Sequence, residues 1–188
     1  MLFRKAGSRS GAKLTLKFIK MKDTTTENFK HGIAKPILCD VLIHYGNNKF
    51  DEDLFLPIKN IRWEKPDGGL WTSPKNSKWG WKDWCISECY MDCSDDNCFE
   101  IMLKKTANIL KIDNENDFKN APLIDSEYNS CFLDFEKIAE KYDAIWVTAK
   151  AVFSLRMNRK YSLYSWDCES VLILNKDCLQ TQSLVHIA

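Results

Sequence analysis

Glycine is scarce in this chain. There are seven in 188 residues, and they form neither the Gly-x-Gly-x-x-Gly fingerprint of dinucleotide-binding folds nor a phosphate-binding loop, so both standard nucleotide cradles are excluded. Histidine is scarcer still, with only His31, His44 and His186. No His-Glu-x-x-His zinc helix can be built from them, and a Ser-His-Asp hydrolase would have to rely on His44 with no nucleophile elbow beside it. No apolar run approaches the roughly 20 residues that span a bilayer. Leu14 to Ile19 is too short for a secretory apolar region and is interrupted by Lys17. Internal repeats and low-complexity tracts are absent as well.

A hydrophobic fraction of 45% over 188 residues supports one sizeable core and is too little chain for two full domains. One domain is expected over residues 36–188, preceded by a basic extension over residues 1–35. That extension carries nine Lys and Arg against Asp23 and Glu27, a net +7, which leaves about −6 for the rest of a chain whose total is +1. Such an arm either contacts nucleic acid or an acidic partner, or is a solvated terminus. Eight cysteines without an export signal imply reduced thiols in the cytoplasm. Cys85, Cys89, Cys93 and Cys98 offer four thiols for tetrahedral zinc, but spacings of three, three and four residues match no usual paired-knuckle pattern, and no metal is expected.

Along the chain, Ile37 to Tyr45 is a nearly continuous apolar run of strand length. Pro57 forbids a long regular element between Phe50 and Ile61. Gly68-Gly69 leads into a short strand, Leu70 to Thr72. Ser73-Pro74 then has the chemistry of a helix start, predicting a helix from Lys75 to about Cys89, weakened by Gly80. Strands are predicted at Phe99–Leu103, Asn108–Ile112, Ala144–Thr148 and Ser170–Leu174, with helices near Asp117 and over Asp134–Tyr142. Several strands with few helices between them predict an α+β fold.

Three motifs resemble, in the same chain order, those of the ADP-ribosyltransferase superfamily, which cleaves the nicotinamide-ribose bond of NAD and passes ADP-ribose to an acceptor. His44-Tyr45-Gly46 resembles the first-strand motif of its His-type branch. Gly69-Leu70-Trp71-Thr72-Ser73 is similar to that branch's Gly-x-Tyr-x-Ser strand, and Asp167-Cys168-Glu169-Ser170 to the acidic loop before the family's late strand. Tyr45 stands between His44 and Gly46 where the family places Gly directly after His, Trp71 replaces the usual tyrosine, and Asp167 occupies a position where Gln or Glu is commoner. The resemblance implies a single domain with a split, mostly antiparallel β core flanked by short helices. It also implies NAD as substrate and a protein or nucleic-acid acceptor, with no membrane partner.

Breaking that glycosidic bond leaves positive charge on ribose C1′ and its ring oxygen, the oxocarbenium problem of glycoside hydrolysis, and a fixed carboxylate beside the sugar stabilises it. The resemblance gives that role to Glu169, with Asp167 positioning the acceptor. His44, Tyr45, Gly46, Trp71 and Ser73 are the candidate NAD-binding residues: an imidazole for a ribose hydroxyl, a glycine for close approach, an indole to stack on nicotinamide and a hydroxyl to orient the acid. The alternative is a non-catalytic module whose basic arm and tryptophans, Trp79, Trp81 and Trp84 among them, engage nucleic acid or protein.

Overall fold

A computed structural model of the chain describes residues 41–61, 65–126 and 129–180; the basic extension, residues 37–40 of the first predicted strand and Cys39 lie outside them. The elements in order are β1 (Leu42–Tyr45), β2 (Leu70–Pro74), α1 (Trp81–Glu88), β3 (Cys98–Ile101), β4 (Ile109–Ile112), α2 (Glu115–Asn120), β5 (Leu123–Asp125), β6 (Cys131–Leu133), α3 (Phe135–Ala139), β7 (Ala144–Val147), α4 (Ala149–Leu155) and β8 (Ser170–Ile173). The class is the expected mix of a mostly antiparallel sheet with short helices.

Six strands form one sheet in the order β3-β1-β2-β8-β7-β4, and β5 with β6 forms a separate two-stranded ribbon. Only β4 and β7 run parallel, because the chain between them makes a long crossover through α2, the ribbon and α3. The expected split core is therefore one continuous sheet, joined at β2. That strand pairs with β1 through Ser73 and Pro74 and with β8 through Leu70, Trp71 and Thr72, so its two ladders share no residue. His44 and Tyr45 consequently have β3 partners but no β2 partners.

Both faces of the sheet are covered, which explains why β8 is buried at all four positions. Alternation sends Leu172, with Ile145 and Val147, into one cluster that includes Phe118, Phe135, Ile138, Val152, Leu155 and Trp166. Val171 and Ile173 join Leu42, Ile101, Ile109 and Ala144 in the other. Side-chain oxygens close the helix starts: Asn114 accepts from the Asn116 and Asp117 amides, Asp134 from Lys137, and Thr148 from Ala151.

The helix predicted from Lys75 begins six residues later. Ser73 and Pro74 complete β2 instead, and Gly80 is the residue that precedes α1, not one that weakens it. Ser73 still caps that helix, from eight residues away: its Oγ accepts the Trp81 amide at 3.0 Å and donates to the Glu169 carbonyl at 2.9 Å.

Candidate functional site

The β1 segment without a β2 partner marks the site. A cavity of about 380 Å³ opens there, walled by Tyr45, Trp71, Trp81 and Trp166 and carrying His44, Lys65, Ser73, Asp167, Cys168 and Ser170 at its polar positions. All five residues proposed from the sequence to bind NAD, His44, Tyr45, Gly46, Trp71 and Ser73, line it, as does Asp167. They come from three segments widely separated in sequence. β2 delivers Trp71 and Ser73 to the same face two residues apart.

His44 is fixed by its ring. Nδ1–H donates to the Trp71 carbonyl at 2.8 Å, filling an acceptor that the β1–β2 ladder leaves unpaired, and the ring lies 4.9 Å from that of Phe99. This bond fixes the neutral tautomer and leaves Nε2 as an acceptor on the Gly46 side. Burial lowers the His44 pKa below its ordinary 6.5, and the bond to the Trp71 carbonyl offsets part of the shift. At Gly46, φ is +126°, and a Cβ there would meet only His44 Nε2, at 3.6 Å. The backbone beside the imidazole is thus open to close approach.

Trp71 is braced from behind by the buried Trp166, ring centroids 4.9 Å apart, and Trp166 stacks in turn near Phe135. A rigid indole of this kind presents a flat face with little entropy left to lose on binding. Lys65 Nζ lies 5.8 Å from the Trp71 ring and 3.2 Å from Asp167 Oδ2. Arg156 holds the other carboxylate oxygen, Oδ1, at 2.9 Å. The Tyr45 phenol is pushed up to about 12 by burial and nearby acidic groups, and the Cys168 thiol up to about 11 by burial. Both stay protonated near neutrality, so Cys168 is not an activated nucleophile.

Glu169 is not among the cavity residues. Asp167, Cys168 and Ser170 reach the cavity, and the bend at Cys168, just before β8 begins at Ser170, leaves the Glu169 side chain on the other side. There Oε2 accepts from Ser77 Oγ at 2.6 Å and Oε1 from Trp146 Nε1 at 2.9 Å, in keeping with Trp146 pairing with Val171 across β7 and β8. Only the Glu169 main chain touches the site's framework: its amide donates to the Trp79 carbonyl and its carbonyl accepts from Ser73. The Trp79 indole N–H meanwhile donates to the Asp167 carbonyl at 3.0 Å, bracing the acidic loop.

Sequence reasoning missed Lys65, Arg156, Met91 and Trp166 as site components. For Lys65 and Arg156 no local pattern exists, because each is brought to Asp167 by the tertiary fold. Trp166 directly precedes the acidic motif, and its adjacency was the one usable signal. The cysteine quartet does not assemble around a metal: α1 ends at Glu88, and Cys89 is exposed in a left-handed conformation. Among the described residues no group of three or more His, Cys, Asp or Glu could hold a metal ion, and no helix is long and apolar enough to cross a membrane. Comparison with family models, curated proteins and solved structures gives no match.

Proposed function

We propose that the cavity binds the nicotinamide-ribose end of NAD, as in an ADP-ribosyltransferase-like enzyme that passes ADP-ribose to a macromolecular acceptor. Asp167, not Glu169, is the carboxylate beside the reacting sugar. One observation supports this above all: the five candidate binding residues, taken from separate motifs, converge on one aromatic-walled cavity. In this reading nicotinamide stacks on Trp71 and a ribose hydroxyl donates to His44 Nε2. As the glycosidic bond breaks, nicotinamide departs with the bonding electrons. Asp167 faces the cation that remains at C1′, and the acceptor nucleophile adds there with loss of its proton.

Asp167 is available for this because both of its ties reach solvent. Lys65 is 39% exposed at 3.2 Å and Arg156 40% exposed at 2.9 Å, and pairs of that kind contribute at most about 1 kcal/mol each, so a developing cation loosens them at small cost.

Release of nicotinamide from labelled NAD by the full-length protein with a cell extract tests the proposal. Asp167→Asn is expected to lower the rate roughly 10²- to 10³-fold, the usual loss for a preorganised electrostatic group, and Glu169→Gln to lower it far less. The reverse ranking would return the catalytic role to Glu169. A second reading, a binding module without turnover, is favoured by the same double ion pair, which neutralises Asp167 in the resting protein. Saturable NAD binding with no nicotinamide release would select it.

A further inference from the structure

Arg156 faces two ways. Besides holding Asp167, it lines a second depression of about 230 Å³ together with Phe132, Met157, Asn158, Arg159 and Tyr164. The chain here has an unusual charge pattern: residues 144–166 contain Lys150, Arg156, Arg159 and Lys160 and no Asp or Glu, in a body that is otherwise net acidic. Acids reach the region only from outside the segment. Asp113 pairs with Lys150, Asp167 with Arg156, and Glu115 accepts from Asn158 while pairing with Lys119. Arg159 is exposed and makes no ion pair among the described residues. Large apolar side chains stand exposed among these cations: Phe153 at 70%, Met157 at 79% and Tyr164 at 60%.

Exposed aromatic faces beside an unpaired Arg159 and a run of cations with no acid inside it suit a single strand of nucleic acid, since bases stack on the rings and phosphates meet the charges. Arginine, methionine and tyrosine would also suit a protein partner, but lysine is depleted from protein interfaces, and one-signed Lys and Arg over 23 residues match a phosphate backbone. We propose that this depression and its rim bind single-stranded nucleic acid, with a base against Tyr164 and phosphates at Arg159 and Lys160. The Arg156–Asp167 bridge places the strand beside the cavity. Nucleic acid is then also the acceptor class for ADP-ribose, a step that rests on the NAD reading, whereas the binding claim does not.

Fluorescence anisotropy of a labelled oligodeoxythymidine of about 12 nucleotides, a length within the usual footprint of such sites, tests the binding claim on the full-length chain without NAD. Affinity should fall with salt, with a log–log slope of about −0.7 per phosphate contact for a single strand. Arg159→Ala should make that slope shallower by about one contact. Tyr164→Ala should weaken binding roughly 5- to 100-fold with the slope unchanged. Both positions are exposed, and unchanged circular dichroism verifies that the variants fold. The basic extension acts equally in all three proteins, so the differences report the depression. Unchanged affinity and slope in both variants, or no anisotropy change in the parent, overturns the proposal. So does a labelled glutamate-rich peptide that binds more tightly and responds to the same two substitutions, which assigns the surface to an acidic protein. Oligonucleotide binding with no NAD binding leaves the proposed surface standing and removes only the acceptor step.

Discussion

His44 is the residue whose environment is most fully specified, and its titration carries a testable sign. Burial holds the folded pKa below the ordinary 6.5, so the unfolded chain takes up its proton first as pH falls. The stability tied to neutral His44 is complete above about pH 6.5 and is lost as pH drops through the depressed folded value. The urea midpoint of the parent should therefore fall more than that of His44→Gln between about pH 7.5 and about pH 5.5. Equal falls would mean that the imidazole is not desolvated. Glu169 and Asp167 show the limit of reading single residues. Two acids two positions apart were assigned to one site from their motif, yet the carboxylate of Glu169 is tied to Ser77 and Trp146 on the far face while Asp167 lines the cavity.

Strands with strong apolar runs were legible as elements: β1, β2, β4, β7 and β8 fall within or overlap their predicted spans. Gly68-Gly69 leads into β2 as expected, and Gly69 is needed by the sheet. Its φ is +68°, its amide donates to the Leu56 carbonyl at 2.9 Å, and a Cβ would come 2.7 Å from the Ile173 carbonyl oxygen. Gly69→Ala should thus destabilise by at least about 2 kcal/mol, through backbone strain plus displacement of β8; a urea-melt difference near zero would show that β2 and β8 have slack. Elements set by tertiary partners were not legible. The β5–β6 ribbon has strands of only three residues, β5 falling in a stretch rich in Asp, Asn and Glu, and α4 follows β7 so closely that its cap, Thr148, falls within the predicted strand. The start of α1 differs from the expected one because Ser73 does act as a cap, but for the single Trp81 amide, brought to it by an intervening loop.

At the scale of the whole molecule, β2 organises both fold and site. By pairing with β1 through one end and β8 through the other, it makes six strands continuous, and it leaves the end of β1 without a β2 partner where the cavity opens. The class of fold follows from the strand pattern in the sequence, and His44, Tyr45, Gly46, Trp71 and Ser73, singled out by motif, line the cavity. The identity of the facing carboxylate and the two cations that hold it follow only from the folded chain. Titrating the protein with NAD while following tryptophan fluorescence tests the central claim most directly, because Trp71, Trp81 and Trp166 wall the cavity. The prediction is saturable quenching whose apparent affinity falls by about tenfold or more in Trp71→Ala, the loss expected when a stacking face is removed. Absence of saturation, or an affinity unchanged in Trp71→Ala, would contradict it.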